Sequence, residues 1–142
     1  MTHHRIVIVG AGFSGLGMAI KLRQEGELDF AVLERASEIG GTWRDNTYPG
    51  CRCDVPSHLY SFSFAPNPNW SSTFSPQPEI LEYLRDCAHR YGVMPHIRFD
   101  TDLLAAGWDE DEQLWRLETT QGELTADVVI AAQGPLSDPS YP

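Results

Sequence analysis

Long apolar runs are missing from this chain of 142 residues. No stretch approaches the roughly 18 consecutive apolar residues of a membrane span. The polar start Met1-Thr2-His3-His4 also lacks the apolar segment of a secretory signal. A cytoplasmic protein without a membrane partner is therefore expected. Positive charge is scarce: 10 Lys plus Arg stand against 20 Asp plus Glu, a net charge of −10, and Lys21 is the only lysine. Affinity for nucleic acid or anionic lipid is built from clustered cations that neutralise phosphates, so neither partner is expected. Cysteine is sparse as well. Cys51, Cys53 and Cys87 cannot all pair, and Cys51 and Cys53 are too close together to form a disulfide framework, which suits thiols in a reducing compartment. With His58 nearby, the C-x-C spacing still lacks a second pair and the usual C-x₂₋₄-C geometry, so no metal site is expected. The histidines have no partners at catalytic spacing.

What is present fits one globular domain: 42% of residues are hydrophobic and 21% charged. Arg5–Val9 is a short β-branched run without alternation, as in a parallel strand covered on both faces. It stops at Gly10. Phe13, Leu16, Ala19 and Ile20 then fall at helical spacing up to a capping Gly26, and Asp29–Glu34 forms a second buried strand. Strand, glycine turn, helix and strand within this span make a βαβ unit.

Residues 35–76 carry no sustained period but hold Trp43, Tyr48, Tyr60, Phe62, Phe64, Trp70 and Phe74, which predicts an ordered excursion over a ligand. A second helix is expected from Pro78, with Ile80, Leu81, Leu84, Ala88 and Tyr91 on its apolar face, ending at Gly92. Strands over Ile97–Ala105, Leu114–Thr119 and Glu123–Thr125 predict an antiparallel meander, followed by a separate parallel strand over Asp127–Ala132. Trp70, Trp108 and Trp115 read as packing residues. The expected fold class is α/β: a Rossmann-like βαβ dinucleotide-binding fold with a parallel sheet and an inserted β-meander, occupying residues 1–142 as one domain.

Gly10-Ala11-Gly12-Phe13-Ser14-Gly15 is a G-x-G-x-x-G that leaves the first strand and opens the first helix. The first glycine permits the tight turn, the second lets backbone approach a pyrophosphate, and the third lets helix pack on strand. The pyrophosphate would rest on unpaired N–H groups at the positive end of the helix dipole. Glu34 closes the second strand, where a carboxylate can accept from ribose hydroxyls and repel a 2′-phosphate. From these residues alone the ligand is FAD or NAD.

Further along, Gly40-Gly41-Thr42-Trp43, Tyr48-Pro49-Gly50, Arg52, Asp54 and Tyr60 resemble the N-terminal part of the Baeyer–Villiger and related flavin-containing monooxygenases. The resemblance runs along essentially the whole chain, through the closing Ala132-Gln133-Gly134-Pro135-Leu136-Ser137. It implies FAD as cofactor, with Gly10, Ala11, Gly12, Phe13, Ser14 and Gly15 at the phosphates and Glu34 and Arg35 at the adenosine ribose. It further implies Gly41, Thr42, Trp43, Arg44 and Asp45 along the ribityl chain and flavin, Asp54 and Tyr60 on the flavin, Arg52-Cys53-Asp54 bordering NADPH, and Leu103 at adenine. Asp54 is the one catalytic candidate. Thr47 stands where an arginine is frequent in the family, and Gln133 where threonine is common.

The implied reaction is hydride transfer from NADPH to FAD, capture of O2 as a flavin C4a-peroxide, and oxygen insertion into a ketone or onto nitrogen or sulfur of a small organic substrate. The family's second dinucleotide domain, its Phe-x-Gly-x-x-x-His signature, its active-site arginine and its returning FAD-domain segment have no counterpart in residues 1–142, so a portion of a longer enzyme is expected. Another two-domain flavin oxidoreductase and a non-catalytic FAD- or NAD-binding module are the alternatives.

Overall fold

Val7 and Ile8 on the first strand and Val32 on the second have no solvent exposure at all, as expected where a strand is covered on both faces. The computed structural model describes all of residues 1–142. Strands β1 (Thr2–Val9) and β2 (Phe30–Leu33) run parallel with Val9 beside Leu33, and helix α1 (Phe13–Gln24) crosses between them. Five further elements complete the sheet and its cover: helix α3 (Gln77–Arg90), strands β3 (Ile97–Arg98) and β4 (Leu103–Asp109), then β5 (Leu114–Thr119) and β6 (Gly122–Ala131). The one-turn helix α2 (Thr42–Asp45) precedes α3 and was not anticipated.

All six strands form one sheet in the order β3-β2-β1-β6-β5-β4. Its β3, β2, β1 and β6 members are mutually parallel, and β5 is antiparallel to both β6 and β4. The predicted α/β class and βαβ unit are present, but the meander differs in two ways. Ile97–Ala105 is not one strand: Ile97 and Arg98 join the parallel half beside Val32 and Leu33, and the chain turns at Asp100, whose φ is 52°. That turn is tied to the end of β2 by Thr101 N–H donating to Glu34 O at 2.9 Å and Asp100 N–H to Ala36 O at 3.0 Å. Glu123–Thr125 and Asp127–Ala132 are likewise not two strands. Their ladders overlap: β6 pairs with β5 over Gly122–Ala126 and with β1 from Leu124 to Ala131, so no break separates them.

Leu16, Ala19 and Ile20 of α1 and Ile80, Leu84 and Ala88 of α3 are fully buried. Most of these pack with Ile8, Phe30 and Val32 into the main core. A smaller cluster of Val7, Leu33, Leu117, Leu124 and Ala126 joins the parallel strands to the meander.

The aromatic segment is ordered and divides its rings: Trp43 and Tyr60 line a cleft, while Phe62, Phe64 and Trp70 wrap the helix pair. Tyr83 of α3 explains this: its hydroxyl accepts from Phe62 N–H at 2.8 Å and donates to Ala65 O at 2.7 Å. Phe62 stacks on Phe64, Phe13 meets Phe62 edge-on, and Trp70 packs on Tyr83, so these rings serve the core. Trp108 and Trp115 face each other across β4 and β5 with ring centres 5.7 Å apart. No helix is long and apolar enough to cross a membrane.

Candidate functional site

At the carboxyl end of β1 the chain must reverse into α1 in three residues. Gly10 does so with a φ of +104°, and a β-carbon there would lie 2.7 Å from Ala132 O. Gly15 is more constrained still, since a β-carbon on it would sit 1.8 Å from Gly10 O. Gly12 is different: a β-carbon would point at Gly41 Cα, 3.6 Å away, an ordinary contact. The second glycine is thus where two loops approach each other backbone to backbone.

No hydrogen bond within the protein uses the N–H of Gly12, Phe13 or Ser14, and α1 has neither a side-chain cap nor an acidic residue in its first turn. Free donors at the positive end of a helix of this length are a ready anion site.

Glu34 lies just beyond β2 and is only 4% exposed. Its Oε2 accepts from Ala11 N–H at 2.9 Å, and its Oε1 from Ala36 N–H at 2.9 Å and Arg44 Nη1 at 3.0 Å. A carboxylate offers about four lone-pair sites, so one remains, on Oε2. Only one acceptor site is therefore left for ribose hydroxyls, because Glu34 also fastens the glycine turn to the second loop.

That second loop is Gly40–Asp45. Gly40 N–H donates to Ala11 O at 2.9 Å, so the two loops are joined by backbone as well. Gln77, buried at the start of α3, donates its side-chain amide to Trp43 O. Trp43 Nε1 donates to Tyr60 OH at 2.9 Å. Burial pushes the Tyr60 phenol above its ordinary pKa, only partly offset by the indole bond. Arg44 donates from Nη1 to Glu38 O at 2.7 Å as well as to Glu34, and from Nε and Nη2 to the two oxygens of Asp45. Burial pulls Arg44 down, but Asp45 and Glu34 outweigh it and hold the guanidinium above its ordinary range.

Between the loops lies a cleft of about 570 Å³. Most predicted site residues line it: Gly10 to Ser14, Glu34, Arg35, Gly41 to Asp45, Tyr60 and Leu103. That volume lies within the usual range of ligand pockets, and the donors, carboxylate and aromatic rings suit a dinucleotide.

Gly15 does not reach the cleft, since it lies under the turn. Arg52, Cys53 and Asp54 are not brought to it either. Cys53 N–H donates to Ser75 O at 2.9 Å and Gln77 N–H to Cys51 O at 3.0 Å, which hold this stretch against the start of α3. Asp54 is exposed and its carboxylate has no hydrogen-bond partner. Lining residues that were not predicted are Val9, Leu33, Gly40, Thr101, Asp102 and Ala132 to Asp138. The closing stretch had been noticed only for its likeness; its reach to the cleft follows from β6 lying beside β1, which a single sequence does not display.

Residues 8–86 match the model of an NAD(P)-binding Rossmann-like domain. The chain belongs to that family. Among curated relatives, a Baeyer–Villiger monooxygenase of Streptomyces coelicolor is 59% identical over 140 residues, covering 99% of this chain and 27% of the relative. One of Pseudomonas aeruginosa is 50% identical over 141 residues, with the same coverage of 99% and 27%. The chain thus spans about a quarter of the length of these relatives and corresponds to their N-terminal parts. Among solved structures, an oxidised steroid monooxygenase bound to NADP superposes with a TM-score of 0.92 at 42% identity, over 99% of this chain and 28% of that one. A closed cyclohexanone monooxygenase gives a TM-score of 0.94 at 38% identity, over 100% and 28%. The Rossmann-like domain described above is therefore shared with monooxygenases throughout its length.

Proposed function

We propose that the chain is the FAD-binding portion of an NADPH-dependent flavoprotein monooxygenase that transfers one oxygen atom from O2 to a small organic substrate, inserting it into a ketone or adding it to nitrogen or sulfur. The observation that carries this reading is the cleft itself. One cavity joins the free N–H groups of Gly12, Phe13 and Ser14, the Glu34 carboxylate, and the aromatic pair Trp43 and Tyr60. The names of the relatives support it, as does a neighbour solved in complex with FAD and NADP, with a TM-score of 0.91 at 35% identity over 98% of this chain and 27% of that one.

In this reading the pyrophosphate rests on the N–H groups of Gly12, Phe13 and Ser14, where the α1 dipole favours negative charge. Glu34 accepts from the adenosine ribose through its remaining lone pair, and a 2′-phosphate is repelled there. Arg35 and Leu103 lie toward the adenine end. Thr42, Trp43 and Tyr60 border the flavin end, where the Tyr60 hydroxyl can donate because its oxygen already accepts from the Trp43 indole. FAD supplies the redox chemistry that activates O2, while these residues orient it and keep water from one side of it. Asp54, held away from the cleft, has no role in this account.

Replacing the matching quarter of the Streptomyces coelicolor relative by these residues tests the proposal. The expected product is a yellow protein that couples NADPH oxidation to ketone oxygenation. A folded chimera without flavin bands in its visible spectrum would overturn the assignment.

A further inference from the structure

Arg44 spends four of its N–H groups inside the protein, on Asp45 twice, on Glu38 O and on Glu34 Oε1. Its side chain is 15% exposed and that of Glu34 is 5% exposed, so the contact is largely shielded from water. Arginine can only donate, and its planar fork fixes the direction in which it does so. Oε1 of Glu34 is consequently saturated by Ala36 N–H and Arg44, while Oε2, bonded to Ala11 N–H, keeps one open site.

We propose that Arg44 is a positioning residue: by filling Oε1 it leaves Glu34 a single acceptor toward the cleft, so that the site reads one ribose hydroxyl of an adenosine diphosphate moiety and not two. This rests on the dinucleotide reading above and adds to it which part of the sugar is sensed and what sets that choice. Arg44 acts through Glu34 and by way of α2, so the second glycine loop decides how the first one's ligand is recognised.

The test measures binding of ADP, 2′-deoxy-ADP and 3′-deoxy-ADP to the full chain by calorimetry. For the natural sequence, one deoxy analogue should bind about tenfold more weakly than ADP, the loss expected for a hydrogen bond to a charged acceptor, and the other within about twofold. Arg44→Met frees Oε1, so both analogues should then bind more weakly than ADP. Arg44→Lys keeps one donor near Oε1 and should restore the single-hydroxyl pattern. If Arg44 served only to hold the loop, Arg44→Met would lower affinity for all three ligands by one common factor, and that result overturns the proposal. Two equal deoxy penalties in the natural sequence also overturn it. Absence of binding by all three overturns the dinucleotide reading itself, while binding of ADP without any deoxy discrimination leaves that reading intact and sinks only the role of Arg44. Melting curves of each variant separate a lost fold from a lost contact.

Discussion

The two glycine loops that form the cleft walls are held by different physics. Gly10–Gly15 is fixed by steric exclusion: its outer glycines face backbone so closely that no side chain fits, at 2.7 Å from Ala132 O and 1.8 Å from Gly10 O. Gly40–Asp45 is fixed largely by partners sent from elsewhere, namely Glu34 on Arg44, Gln77 on the Trp43 carbonyl and Tyr60 on the Trp43 indole. A loop of the first kind resists change until it breaks. One of the second kind can be loosened one bond at a time, and the difference assigns anchoring to the first wall and adjustment to the second.

Substitutions can break this contrast. Gly15→Val should have the largest effect, more than about 3 kcal/mol, because the obstruction is backbone that only a shift of α1 can relieve. A near-normal melting temperature would show that the helix is not pinned by the turn. Glu34→Gln should follow at about 2 kcal/mol, since the amide presents a donor to groups that are themselves donors and leaves Arg44 without that anion. Urea unfolding reads this loss, and an unchanged midpoint would mean that the loops are not coupled through Glu34.

Trp43→Phe removes the indole donor to Tyr60 together with part of a ring packed on the core, and should cost between about 1 and 2 kcal/mol. The same unfolding measurement checks it, and a loss as large as that of Gly15→Val would erase the distinction between the walls. Asp138→Asn is the smallest case. Its pair with Arg35 at 2.9 Å joins side chains that are 83% and 43% exposed, so stability should move by less than about 1 kcal/mol. A larger shift in the melting curve would show that this pair, and not the sheet alone, holds the stretch after β6 against the cleft.

The same contrast explains what the sequence disclosed. The G-x-G-x-x-G turn was legible because steric exclusion acts between residues near in sequence, and the unbroken β-branched run before it and the helical stripe after it are both plain in the sequence. Glu34 was legible as a cleft residue, but its ties were not: the bond from Ala11 N–H spans two separate strands' ends, and that from Arg44 depends on α2, a single turn too short to carry a period. Trp70 was read as a packing residue, but that Phe62 and Phe64 pack beside it was not legible, because Tyr83 binds the backbone at Phe62 and Ala65 from a distant helix. The meander was misdivided because β6 serves a parallel and an antiparallel partner at once, so its apolar pattern changes character in mid-strand. Asp54 was singled out by likeness to a motif. The bonds that hold its segment on α3, from Cys53 N–H to Ser75 O and from Gln77 N–H to Cys51 O, are long-range and left no mark in the spacing.

Equilibrium titration of the purified chain with FAD, followed by competition with ADP, bears most directly on the cleft as a dinucleotide site. Saturable binding of one FAD per chain, displaced by ADP and far less readily by an adenosine carrying a 2′-phosphate, is the predicted result. FAD binding that ADP fails to displace, or a preference for the 2′-phosphorylated adenosine, would contradict the placement of the pyrophosphate on Gly12–Ser14 and of the ribose on Glu34.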